Sequence, residues 1–323
     1  MNSTFKPRRM EDMPAGVCAA PLGPADARAR YFNSGNAFNV VLPPVPAATF
    51  MPDARVVQAA RASFVQACDQ SAALGSPVAA TTPLMLAAYQ VIAPGESADT
   101  RDVTSRSSGS LWYVMAGGGA CASASHEAFA FHAGDVFMLP GGDPWRLAAG
   151  DAGAVFWRVD NSPQLAHEQV MPSASSTLQA VHYPADEIER QLAELFDTTA
   201  DATTSGFALV FSSDLLGGSR NVLPTLTLSL NTLPAGDTQR AHRHNSAAIT
   251  LVLDGEKCCT RIDGEPVAWS RGMTLVTPPG ALHSHHNEGA SQRARFLIVQ
   301  DGALHYHCRT MGFAFENEAS ARV

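Results

Sequence analysis

Residues 234–247 read PAGDTQRAHRHNSA, with His242 and His244 separated by a single arginine. On an extended strand residues i and i+2 share a face, so both imidazoles can enter one cavity while Arg243 points away. A third imidazole is offered by His283, in the stretch GMTLVTPPGALHSHHN (272–287), where the TPPG turn delivers it from a later strand. Two histidines on one face plus a third from a neighbouring strand make a candidate metal site of His242, His244 and His283. The alternative, three ordinary surface histidines, does not account for their coordinated spacing.

The same spacing occurs twice in the chain. Gly236 precedes His242 by six residues, and Pro278, Gly280 and His283 follow Gly272 by 6, 8 and 11. In the first half Gly95 precedes Arg101 by six, and Pro140, Gly142 and Trp145 follow Gly134 by 6, 8 and 11. The two halves are offset by 141 residues at the first motif and 138 at the second. Agreement in order and spacing at two separate motifs reads as a duplicated domain. In the first copy Arg101, Val103 and Trp145 stand at the three histidine positions, so that copy is expected to be structural and without a metal.

Each copy is composed of short runs rich in Val, Ile, Leu and Thr, such as TLTLSLNTL (225–233), AAITLVLDG (247–255) and ARFLIVQ (294–300). Gly and Pro turns such as IDGE and PPG punctuate them, and Asp-Gly suits the positive φ angles of a tight hairpin. This predicts an all-β chain of two sandwiches or barrels. A helix is predicted over 184–196, where Ile188, Leu192, Leu195 and Phe196 share a face, and a weaker one over 53–68. The domain boundary is placed near 170, giving an N-terminal domain over 1–170 and a linker, helix and second β domain over 171–323.

Composition narrows the partners. The chain has 323 residues, 46% hydrophobic and 16% charged, and a formal charge of −8 without clustered Lys or Arg. That argues against a nucleic-acid partner. There is no apolar run of membrane-spanning length, and the basic start MNSTFKPRRMEDMP has no apolar segment behind it, so neither a membrane partner nor a secretory signal is expected. The six cysteines show no CxxC spacing and read as free thiols in a reducing cytoplasm.

The motifs G(x)5HRH and G(x)5PPGALHSHHN resemble the two signature motifs of the cupin superfamily, and the duplication resembles a bicupin. The segments HRHNSA, IDGE and GMTLVTPPGALHSHHNEG are similar to those of the gentisate 1,2-dioxygenase group and its salicylate-cleaving relatives. That resemblance implies two double-stranded β-helix (jelly-roll) barrels, non-haem Fe(II), molecular oxygen as co-substrate, and homo-oligomers such as dimers or tetramers. It also places His285 beside the substrate or the dioxygen. Two departures stand out: many cupins carry a glutamate shortly after the HxH pair, whereas residues 245–249 are Asn-Ser-Ala-Ala-Ile. The metal-bearing copy here is also the second, where relatives usually carry it in the first.

Three neutral imidazoles leave a divalent ion its full charge and open positions for an anionic chelating substrate and O2. The resemblance implies iron at such a set, and zinc, nickel or manganese are alternatives. His285, two residues beyond a ligand, can face the same cavity and donate a hydrogen bond or move a proton; its alternative is a histidine at the rim. Asn287 is expected to tie down its loop. His305 and His307 repeat the x+2 spacing and are expected to line the pocket, and Arg295 and Arg309 are candidates for a substrate carboxylate.

These features fit a ring-cleaving dioxygenase acting on a hydroxylated aromatic carboxylate. Two alternatives are an O2-independent metal-dependent isomerase, lyase or hydrolase, and a non-enzymatic cupin that binds a small ligand. The fold hosts all three classes.

Overall fold

The computed structural model describes residues 9–57, 62–173, 176–199, 206–316 and 321–322. From Ala48 onward the chain is antiparallel β structure in the jelly-roll arrangement of a bicupin, with short connecting helices. Among the described residues no helix is long and apolar enough to cross a membrane. The described residues 9–44 form a compact unit of their own. Within it Gly16–Val17 pairs with Arg30–Tyr31, and the Asn33 side chain caps the short helix Ser34–Ala37.

The first copy is an eight-stranded sheet built around two long strands, Gly109–Ala122 and Arg146–Asp160. They run antiparallel, with register shifts between Ala149 and Ala154 and between Val155 and Phe156. Such irregularities bend a long strand and let one sheet roll around an interior. That interior is filled. Trp112 packs against Phe137 and Phe156 with ring centroids 5.9 and 5.6 Å apart, and Phe131 and Trp145 close the space beside them.

The second copy keeps its two layers separate. One sheet orders the strands Phe207–Phe211, Thr227–Leu233, Ala294–Gln300, Ala248–Asp254, Thr274–Thr277 and Ala48–Phe50. The other orders Glu265–Ala268, Cys258–Ile262, His283–Asn287, His242–His244, Gly312–Phe315 and Ala321–Arg322. Gly134 and its counterpart Gly272 adopt φ values of +94° and +80°, so the repeated glycine marks a turn that a side chain would strain.

A shared apolar core joins the copies, contributed by Tyr89, Leu111 and Trp157 from one and Leu228, Leu251 and Leu297 from the other. A buried polar knot sits within this junction. The Tyr89 hydroxyl donates to the Gly272 carbonyl at 2.6 Å, leaving the Thr274 hydroxyl, 2.7 Å away, to donate to Tyr89. Trp157 Nε1 donates to Thr274 Oγ1 at 3.0 Å.

The helix expected over 184–196 forms at Ala185–Phe196 and buries Ile188 and Leu192. The one expected over 53–68 does not run that far. It spans Ala54–Val57, residues 58–61 lie outside the described residues, and Phe64–Ala67 is a strand paired with Leu86–Ile92. Phe64 and Ala67 gain more by extending an existing sheet edge than an isolated helix of this length would offer. Most of the polar tract 197–206 also lies outside the described residues.

Candidate metal centre

His242 and His244 sit on the three-residue strand His242–His244, both buried, while Arg243 between them is exposed. The strand is held on one side by Gly312–Phe315 and on the other by His283–Asn287, where His242 and His283 are directly opposed. This register, and not sequence proximity, brings the third imidazole in. One ring nitrogen of each of the three residues lies within 4.8 Å of the other two, a set that could hold one metal ion.

The hydrogen bonds determine which nitrogens those are. His242 Nδ1 is 2.9 Å from the Arg240 carbonyl, His244 Nδ1 is 2.8 Å from that of Ser246, and His283 Nδ1 is 3.0 Å from that of Ala281. A carbonyl can only accept, so each Nδ1 carries the hydrogen and each Nε2 keeps a bare lone pair. Among the described residues His242 Nε2 and His283 Nε2 have no partner, and His244 Nε2 has only the Gln300 amide nitrogen at 3.4 Å. Burial lowers all three histidines below their usual range, His244 to about 4 and His283 well below, with neighbouring imidazoles adding to the shift. The triad is therefore neutral at pH 7. Buried lone pairs that converge without protons are the donor set a divalent cation needs.

Among the described residues no such set is found in the first copy. Arg101–Thr104 is a helical turn instead of an HxH strand, Arg101 is exposed, and Trp145 fills the place of His283 with its Nε1 buried and unpartnered.

The triad opens into a cavity of about 510 Å³. His285 lines it too, fully buried, its ring 6.1 Å from that of His283 and 4.7 Å from that of Phe296. Burial pushes His285 down to about 3. Leu228, Ile298, Met311 and Phe313 supply apolar wall, and Phe313 stacks on His242 at 5.2 Å. Among the described residues, three buried polar atoms of residues that line the cavity lack partners: Asn221 Oδ1, Gln239 Oε1 and Thr250 Oγ1. Such atoms are rare in folded proteins and point to something polar that enters the cavity. Arg220, on the loop before Thr227–Leu233, is an exposed arginine on the lining, and its side chain makes no ion pair or hydrogen bond within the described residues.

The other residues singled out in the sequence lie elsewhere. His305 and His307 are on the helix Gly302–Cys308, where an x+2 spacing separates two side chains instead of aligning them. His305 is 3.2 Å from the Asn245 amide, His307 is exposed, and neither lines the cavity, although Tyr306 between them does. Arg295 is engaged by Glu189 of Ala185–Phe196 through two hydrogen bonds, and Arg309 bonds the His307 carbonyl at the end of its helix. Asn287 ties its loop to the sheet by donating to the carbonyls of Leu233 and Gln292. The cavity-lining Arg220, Asn221, Gln239 and Tyr306 carry no local pattern from which sequence reasoning could have found them. The alternation in GFAF (312–315) could have found Phe313.

Comparison with known proteins agrees with this geometry. Residues 229–300 match the Cupin domain family. Gentisate 1,2 dioxygenase 1 of Aquipseudomonas alcaligenes is 32% identical over 80 residues, 25% of this chain and 23% of that protein. The 5-aminosalicylate 1,2-dioxygenase of a Comamonas species is 36% identical over 69 residues, 21% of this chain and 18% of its own. The matched segment thus spans about a quarter or less of these relatives. In three dimensions the likeness extends much further. Salicylate 1,2-dioxygenase from Pseudaminobacter salicylatoxidans superposes with a TM-score of 0.69 over 85% of this chain and 89% of its own, at 15% identity. The chain has the bicupin fold of that structure, and its match to the Cupin domain lies in the second copy. Within that class it resembles the gentisate 1,2-dioxygenase group.

Proposed function

We propose that this protein is a non-haem Fe(II)-dependent dioxygenase that cleaves the ring of a hydroxylated aromatic carboxylate of the gentisate or salicylate type. The observation that carries the reading is the neutral three-histidine set facing a cavity with apolar walls and a free arginine. His242, His244 and His283 would hold the ion through Nε2. Iron would supply the one-electron chemistry by which O2 reacts with an aromatic ring, and three neutral ligands leave its charge available to an anionic chelator. Arg220 would meet the carboxylate at the cavity mouth, where a guanidinium pairs with it in a two-pronged bond. Leu228, Ile298, Met311 and Phe313 would hold the ring and keep water out. Asn221 Oδ1, Gln239 Oε1 and Thr250 Oγ1 would take the ring's polar substituents.

In the same reading the first copy, residues 1–170, is a structural barrel without metal, and 171–323 carry the linker helix and the metal-binding barrel. The strands Ala48–Phe50 and Val181–Tyr183 cross that division, one pairing with Thr274–Thr277 and the other with Val136–Pro140. We propose a cytoplasmic homo-oligomer with a small aromatic acid and O2 as its partners. The test is O2 uptake by anaerobically prepared, Fe(II)-loaded protein given gentisate, salicylate and substituted salicylates in turn. Uptake matched by loss of aromatic absorbance supports ring cleavage. No uptake with iron confirmed in place would shift the assignment to an O2-independent metal enzyme or a binding protein.

A further inference from the structure

The four buried histidines around the cavity differ in which nitrogen bears the hydrogen. For the triad a backbone carbonyl at Nδ1 determines it. His285 has no carbonyl there; its Nδ1 lies 2.8 Å from the hydroxyl of Thr260, on the adjacent strand Cys258–Ile262. Thr260 is fully buried, and the indole Nε1 of Trp269 also lies 2.8 Å from its Oγ1. An indole nitrogen can only donate, so Trp269 occupies one lone pair of that oxygen. The hydroxyl hydrogen must then go to an acceptor, and among the described residues His285 Nδ1 is the one within reach. Were His285 to carry its hydrogen on Nδ1, Thr260 would receive two donors and its own hydrogen would be buried without a partner, which is costly.

Resting on the reading of the cavity given above, we propose that Thr260, oriented by Trp269, is a positioning residue that holds His285 as the Nε2–H tautomer. His285 thus presents to the cavity a hydrogen-bond donor, where the triad presents lone pairs. The chain Trp269–Thr260–His285 makes one imidazole unfit to ligate a metal although it lies two residues from a ligand. It also aims an N–H at whatever oxygen is held beside the triad. No other group in the described structure partners His285 Nε2.

The test is 15N NMR of the imidazoles in the full chain at pH 7, before and after addition of a divalent metal, with His285→Gln used to assign the His285 signals. The wild type is expected to show His285 protonated at Nε2 in both states. Thr260→Ser should preserve that tautomer, and Thr260→Val should mix the tautomers or move the hydrogen to Nδ1. A wild-type Nδ1–H form, or a Val variant with an unchanged tautomer, overturns the proposal. If an aromatic acid is turned over, the Val variant should lose at least ~10-fold in kcat with KM little changed, and the Ser variant should recover it. Equal kcat in the Val variant and the wild type also counts against the proposal. Absence of turnover in every form would fall on the dioxygenase reading, while the NMR result decides the tautomer independently.

Discussion

His242 and His283 face each other directly across two antiparallel strands, their ring centroids 4.3 Å apart. This pairing turns an HxH pair on one strand into a three-point site, because His244 then reaches the His283 ring at 4.8 Å from the same face. Forty residues of chain separate the partners, and only the sheet register joins them.

Metal binding should follow the triad alone. Protein loaded with Fe(II) or Zn(II) is expected to hold about one ion per chain by mass spectrometry of the metal, and His242→Ala or His283→Ala should abolish it. His285→Ala should keep most of the ion while losing much of any turnover. Loading should also raise the thermal midpoint, by the equivalent of ~2.7 kcal/mol at a free-ion concentration 100 times Kd. Two ions per chain, or unchanged loading in both triad variants, would contradict the assignment.

Arg220 and Arg295 should behave differently although both are arginines near the second copy. Arg220→Ala removes a cavity cation and is expected to raise KM for an aromatic carboxylate by ~10- to 100-fold, the worth of a charge-assisted hydrogen bond. Arg295→Ala should leave KM unchanged. Its pair with Glu189 is partly exposed, so stability should fall by at most ~1 kcal/mol in urea unfolding. A KM effect confined to Arg295 would reverse the assignment of the carboxylate contact.

The buried histidines should make the metal-free protein sensitive to mild acid. Burial lowers the folded pKa of His244 to about 4 and of His285 to about 3, against an ordinary histidine value of 6.5. The unfolded chain therefore takes up protons that the folded chain refuses as pH falls below 6.5, and stability is lost from there down to those folded values. At pH 5 each such histidine should cost ~2 kcal/mol relative to pH 7 or above. Asp301 opposes this, since burial raises its carboxyl to about 7 and its own contribution weakens as pH rises. The clean measurement is the difference between wild type and His285→Gln, which should take up one proton fewer on unfolding near pH 5. Parallel stability curves for the two proteins would show that His285 is not held neutral.

The knot at Thr274 should bind the two copies into one cooperative unit. Thr274→Val leaves the Trp157 indole N–H without its acceptor and the Tyr89 oxygen without its donor, both in the shared core. We expect a loss of ~1–3 kcal/mol in urea unfolding, with both copies still unfolding in a single transition. Two separate transitions in the wild type would mean the junction does not couple them.

Local pattern determined much of this protein. The duplication, the β architecture and the three triad histidines are legible because turns, strand alternation and i, i+2 facing depend on neighbours a few residues apart. Pattern misled where one spacing means different things in different elements. His305 and His307 share the spacing of His242 and His244, but lie on a helix. Only the tertiary structure decided the rest. Glu189, from a helix more than a hundred residues earlier, engages Arg295, whereas a loop places the exposed Arg220 on the cavity lining with no ion pair among the described residues. Aromatic rings fill one barrel and leave the other hollow, and the Thr260 hydroxyl meets His285 through strand register. Those outcomes depend on packing and hydrogen-bond partners brought together from distant parts of the chain, which no local spacing encodes.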